Sequence, residues 1–210
     1  MSVASRTPVP LKGLYVILDP AAAGSRSLQD VLARAAAAGV RLFQYRNKTG
    51  SMLVAYREAL RLRQQAADAG AVFIVNDRCD LAMAVEADGV HLGQDDLPVE
   101  DARSIMGGRL IGLSTHTLDQ VRGACTLGVD YVAFGPIYPT ASKTDHASVV
   151  GIEGLRRARG LTSLPMFAIG GITPETAQEV QHTGADGIAV ISAILQAPDI
   201  AAAITAFLQP

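Results

Sequence analysis

Residues 131–144 read Tyr-Val-Ala-Phe-Gly-Pro-Ile-Tyr-Pro-Thr-Ala-Ser-Lys-Thr. The first four form a short apolar run, as expected of a strand buried on both faces. Gly135 and Pro136 break the run, and the loop beyond carries Thr140, Ser142 and Lys143. Hydroxyls and one ammonium at the end of a buried strand suit an anion of the phosphate or diphosphate type.

The same pattern recurs on both sides of this stretch. Gly39, Gly70, Gly128 and Gly184 each close a predicted helix, and each is followed within a few residues by a run rich in Val, Ile, Phe or Tyr. Asp88-Gly-Val90 and Asp186-Gly-Ile188 share a second signature, small turn residues entering a strand. Gly39 and Gly70 lie about 30 residues apart, and Gly128 and Gly184 about twice that, so the repeating unit has the size of one strand and one helix. Parallel strands need such crossovers. The predicted strands are 13–18, 42–45, 71–75, 89–92, 110–113, 131–134, 166–169 and 187–190. Helices are predicted from Ser27, over 52–69, from the Thr117/Gln120 capping box, from Thr173-Pro174 and over 198–208. Eight such units predict an α/β chain folded as a single-domain (β/α)8 TIM barrel over residues 12–210, preceded by a flexible tail at 1–11. The competing open, doubly wound sheet lacks support, because Leu18-Asp-Pro-Ala-Ala-Ala-Gly-Ser25 has one glycine where a dinucleotide loop needs three.

Composition narrows the function. The chain has 210 residues, 49% hydrophobic and 18% charged, which is enough apolar content for one packed core. A net charge of −2 with scattered basic residues predicts no nucleic-acid partner, and the absence of Trp removes the usual base-stacking platform. No apolar run is long enough for a membrane span, and the first residues lack the apolar centre of a signal peptide. A cytoplasmic protein with two reduced, mostly buried thiols, Cys79 and Cys125, is the expectation.

In this fold chemistry sits where the strands end. The strand ends carry Gln44, Arg46, Asn47 and Lys48; Asn76 and Asp77; His91, Gln94, Asp95 and Asp96; Ser114 and His116; Thr140, Ser142 and Lys143; Gly170 and Gly171; and Ile191 and Ser192. Arg46 and Lys48 suit a diphosphate, and Asp77 with Asp96 could share a Mg²⁺ ion, although each aspartate alone could instead cap the helix behind it. Gly170, Gly171 and the turn at Ser192 suit a second phosphate, or merely a tight turn. His91 reads as a hydrogen-bonded core residue, His116 as a loop support, and His146 and His182 as exposed. Two anion sites at one mouth imply two small phosphorylated substrates, or one with a phosphate at each end. No Ser-His-Asp or Cys-His grouping supports covalent catalysis.

These segments resemble the thiamine phosphate synthase family over nearly the whole chain. The resemblance rests on Gln44-Tyr-Arg-Asn-Lys48, Val75-Asn-Asp77, Gly89-Val-His-Leu-Gly-Gln-Asp-Asp96, Gly112-Leu-Ser-Thr-His116, Gly135-Pro-Ile-Tyr-Pro-Thr140, Ala168-Ile-Gly-Gly-Ile172 and Val190-Ile-Ser192. It implies that Gln44, Arg46, Asn47, Lys48, Asn76, Ser114 and Lys143 bind 4-amino-2-methyl-5-hydroxymethylpyrimidine diphosphate. Of these, Arg46, Lys48, Ser114 and Lys143 would serve catalysis. It further implies that Asp77 and Asp96 bind Mg²⁺, and that Thr140, Ser142, Gly171, Ile191 and Ser192 bind 4-methyl-5-(2-phosphoethyl)thiazole, plain or carboxylated. The implied reaction is a dissociative alkyl transfer that gives thiamine phosphate and diphosphate. Asn47 departs from the family's usual Glu. The rival readings are a thiazole tautomerase of the same fold, which would not need the diphosphate and metal half, and a non-catalytic phosphate-ligand sensor. A homo-oligomer is compatible with all three.

Overall fold

The computed structural model describes residues 10–140 and 148–208. Eight parallel strands, β1 (Gly13–Leu18), β2 (Leu42–Tyr45), β3 (Val72–Asn76), β4 (Gly89–Leu92), β5 (Leu110–Thr115), β6 (Tyr131–Phe134), β7 (Met166–Ile169) and β8 (Gly187–Val190), pair in sequence order. β8 returns to β1 with Gly13 opposite Gly187, which closes the barrel. The helices are α1 (Pro20–Ala23), α2 (Leu28–Ala37), α3 (Met52–Asp68), α4 (Cys79–Ala84), α5 (Val99–Met106), α6 (Leu118–Ala124), α7 (Gly151–Arg159), α8 (Pro174–Gln181), α9 (Ser192–Leu195) and α10 (Ile200–Leu208). The expected TIM barrel is therefore the observed fold.

Local chemistry explains the repeat. Ser27, Ser51 and Thr117 each accept a backbone N–H of the helix they open. Gly39, Gly70, Gly128 and Gly184 all have positive φ, the conformation that turns a chain out of a helix at little cost in glycine. Asp88, Asp130 and Asp186 stand immediately before β4, β6 and β8. Each carboxylate accepts the backbone N–H of the preceding strand, from Phe73, Ile111 and Met166 at 2.8, 2.8 and 2.9 Å. Asp88 and Asp186, which read as turn residues, are thus register pins at the bottom of the barrel, as is Asp130.

Some boundaries shift by one or two residues. β3 starts at Val72, because Ala71 donates back to Ala66 and still belongs to the turn after α3. β5 runs on to Thr115, since Ser114 and Thr115 pair with Ala133 and Phe134. α10 starts at Ile200, where Asp199 accepts the Ala202 and Ala203 N–H groups. Cys79 is buried as expected, but Cys125 is exposed, because it lies just past α6 on the outer face. Residues 1–9 of the expected tail lie outside the described residues, and Leu11 packs partly buried against the core.

Alternation along the strands sends Tyr15, Tyr131 and Phe167 into the barrel. Their rings meet edge to face with centroids 5.2–6.0 Å apart. Gly112 and Gly187 make room for them: a Cβ at either would collide with the Tyr131 or Phe167 ring. The interior is therefore filled, and the open end for ligands is the one where the strands finish. Among the described residues no helix is long and apolar enough to cross a membrane.

Candidate active site at the strand ends

One side of the mouth is built from the loops after β1 to β4. Arg46, just past β2, forms an ion pair with Asp19 at the end of β1. Asp19 is nearly inaccessible, and its other oxygen accepts from Ala21 and Ala22 at the start of α1. Only one guanidinium nitrogen is used in this pair, so the remaining donors of the fork can engage an anion. Asp19 was not legible as a site residue, since its partner is 27 residues away.

Two residues on, Lys48 pairs with Asp77 at 2.5 Å. Asp77 sits in the left-handed region at φ 61°, which Asp tolerates better than most side chains, and its N–H donates to the His91 carbonyl at 2.7 Å. Burial pushes the Asp77 carboxyl pKa up, the neighbouring Asp96 carboxyl pushes it the same way, and Lys48 opposes both. Asp96 is held by the Gly93 N–H at 2.7 Å. Two carboxylates forced together, with a cation already drawn to them, form a donor set that fits Mg²⁺. That ion takes one or two carboxylates and completes its shell with phosphate oxygens and water. Among the described residues no group of three or more His, Cys, Asp or Glu side chains converges.

Asn47 is engaged within its own loop. Its carbonyl oxygen accepts from Thr49 and Gly50 at 3.1 and 2.8 Å, and its amide donates to the Tyr45 hydroxyl at 3.0 Å. Asn76 ends β3, half-buried and on the register row of His91. Below the mouth, Gln44 and Ser114 are both buried. Ser114 Oγ meets His91 Nε2 at 2.9 Å, and Gln94 donates to the Ser114 carbonyl at 2.6 Å. His91 is the buried, hydrogen-bonded residue expected. His116 supports a loop, as expected, through Nδ1 to the Gly135 carbonyl at 2.7 Å, and His182 is exposed.

The opposite side of the mouth is the loop after β6. Its base is pinned: Ile137 and Tyr138 donate to Ile169 and Gly170 at 3.0 Å, and Val150 donates to the Pro136 carbonyl at 2.9 Å. Gly171, at φ 65°, lies so close that a Cβ there would stand 2.5 Å from the Pro139 carbonyl oxygen. The two glycines thus let the loops after β6 and β7 touch, which carries exposed Thr140 to the rim beside Gly171. Ile191 is buried at the end of β8, and Ser192 opens the four-residue helix α9. Ser142, Lys143 and His146 lie outside the described residues.

The fold and this charged mouth define a (β/α)8-barrel enzyme, with its candidate site at the C-terminal ends of the strands. Comparison with known proteins narrows the class. A family model described as thiamine monophosphate synthase matches residues 14–194. The chain is 46% identical over 190 residues to a thiamine-phosphate synthase of Chloroflexus aurantiacus, covering 90% of this chain and 88% of that one. It is 42% identical to one of Moorella thermoacetica, covering 93% of each. The solved structure of a thiamine phosphate pyrophosphorylase from Pyrococcus furiosus superimposes with a TM-score of 0.86 at 37% identity, covering 94% of both chains. The chain belongs to the thiamine monophosphate synthase family and is a transferase.

Proposed function

We propose that this chain is a thiamine phosphate synthase that joins 4-amino-2-methyl-5-hydroxymethylpyrimidine diphosphate to 4-methyl-5-(2-phosphoethyl)thiazole. The observation that carries the reading is the Lys48–Asp77–Asp96 cluster beside Arg46, in a chain that shares the family's length and fold. A thiazole tautomerase would not require that half of the mouth. Arg46 and Lys48, joined by Lys143, take the diphosphate oxygens. Gln44, Asn76 and Ser114 orient the pyrimidine, while Asn47 shapes the loop that presents its two basic neighbours. Asp77 and Asp96 would hold Mg²⁺, which would supply positive charge beside the diphosphate. Thr140, Ser142, Gly171, Ile191 and Ser192 receive the thiazole phosphate.

In this scheme the C–O bond to diphosphate breaks first. The electron-rich aminopyrimidine carries the methylene cation, and the thiazole nitrogen supplies the electron pair for the new C–N bond. The residues hold two reactants in line and shield the cation from water. No protein nucleophile takes part. Purified protein with Mg²⁺ and both substrates is expected to form thiamine phosphate. Retained thiazole phosphate binding without that product would overturn the proposal.

A further inference from the structure

Five buried or mouth-lining side chains form one continuous hydrogen-bonded line through the barrel. Gln44 Nε2 donates to the Tyr15 hydroxyl at 2.8 Å, and that hydroxyl meets Tyr131 at 2.9 Å. The Tyr131 hydroxyl meets His91 Nδ1 at 3.1 Å, and His91 Nε2 meets Ser114 Oγ at 2.9 Å. Both tyrosines are almost completely enclosed, and burial raises both phenol pKa values well above the ordinary value, so both keep their protons.

Counting protons along this line fixes its direction. Tyr15 already accepts the Gln44 amide, and its own proton has one partner within reach, the Tyr131 oxygen. Were Tyr131 the donor instead, the Tyr15 proton would be buried with no acceptor, which is the costly arrangement. Tyr15 therefore donates to Tyr131. Tyr131 in turn donates to His91 Nδ1, and a neutral His91 carries its proton on Nε2 and donates to Ser114. Gln44 is then left with its carbonyl oxygen and its second amide N–H, and Ser114 with its hydroxyl proton.

We infer that Tyr15, Tyr131 and His91 are positioning residues that polarise this line in one direction, so that the Gln44 amide is held in one orientation with its carbonyl oxygen as acceptor, and Ser114 is held as a donor, toward the substrate ring. That pair is complementary to a heteroaromatic ring with an amino donor on one side and a ring-nitrogen acceptor on the other, the character of an aminopyrimidine. The last step rests on the proposed function; the direction of the line does not.

The test is the histidine tautomer by nitrogen NMR of the full chain labelled at its histidines, with the His91 signal identified by its loss in His91→Asn. The expected ring is neutral with the proton on Nε2. Gln44→Glu removes the amide donor, so Tyr15 donates to the new carboxylate and every link reverses. The His91 proton then moves to Nδ1, although Tyr15 and Tyr131 stand between residue 44 and His91 along the line. Tyr131→Phe cuts the line, so adding Gln44→Glu to it leaves the tautomer as it is in Tyr131→Phe alone. A wild-type ring protonated on Nδ1 or on both nitrogens, or no change in folded Gln44→Glu, overturns the inference. In turnover, Tyr131→Phe is expected to raise KM for the pyrimidine diphosphate about tenfold and leave thiazole phosphate binding within twofold. An equal loss at both sites would show a merely structural role. If the tautomers behave as expected but no condensation occurs, the synthase reading fails and the line stands.

Discussion

Asp19 controls Arg46 from the end of the first strand, and its loss should be felt at the diphosphate. Asp19→Ala removes a buried partner and frees the guanidinium from its fixed pose. The expected outcome is a fall in kcat/KM for the pyrimidine diphosphate of about tenfold, roughly 1.4 kcal/mol, with thiazole phosphate affinity unchanged by calorimetry. Asp77 makes the opposite trade. It is held close to Asp96 in a left-handed backbone conformation that Asn also tolerates. Asp77→Asn removes a carboxylate that burial and Asp96 both disfavour, so the thermal midpoint should hold or rise while turnover falls by about 100-fold or more. A lower midpoint with normal turnover would instead make Asp77 a structural residue. The placement of Asp77 and Asp96 was legible in the sequence because Asp77 follows β3 directly and Asp96 lies in the short loop after β4. Asp19 was not, nor were Tyr15 and Tyr131 as polar groups, because an aromatic inside an apolar run reads as packing and its hydroxyl contact spans the barrel.

Elements here are fixed from below by the pins ahead of β4, β6 and β8. Asp130 accepts the Ile111 N–H and also pairs with Arg103 at 2.8 Å, far from the mouth. Asp130→Ala should cost about 1–3 kcal/mol in urea unfolding by leaving a strand-end N–H without its acceptor, and kcat well below the melting range should stay within twofold. A changed kcat at unchanged stability would contradict the division between a stabilising bottom and a reactive top. Six strands, β1, β2, β4, β6, β7 and β8, fall where the glycine and apolar pattern predicts them. The short α1 and α9 escaped the reading, because four residues are too few to show a helical period, and α4, α5 and α7 were implied by the repeat without being placed. The paired glycines after β7 were legible as a site of close approach. That the neighbour is the loop after β6 depends on contacts between units distant in sequence.

At the scale of the whole molecule, closing the sheet does what no single unit can. It brings the basic and acidic ends of β2 to β4 opposite the hydroxyl- and glycine-rich ends of β6 to β8, with a filled interior beneath. The eightfold order was legible from the repeat, whereas the polar line across the interior required the barrel to be closed. The account's central claim is that both halves act in one condensation that depends on Mg²⁺. The most direct measurement is a single-turnover quench with the protein in excess, following diphosphate and thiamine phosphate together while each component is omitted in turn. The account predicts one thiamine phosphate for each diphosphate with all components present, and no thiamine phosphate when Mg²⁺ is chelated or either substrate is left out. Thiamine phosphate formed at an undiminished rate under chelation, or none formed with every component present, would contradict it.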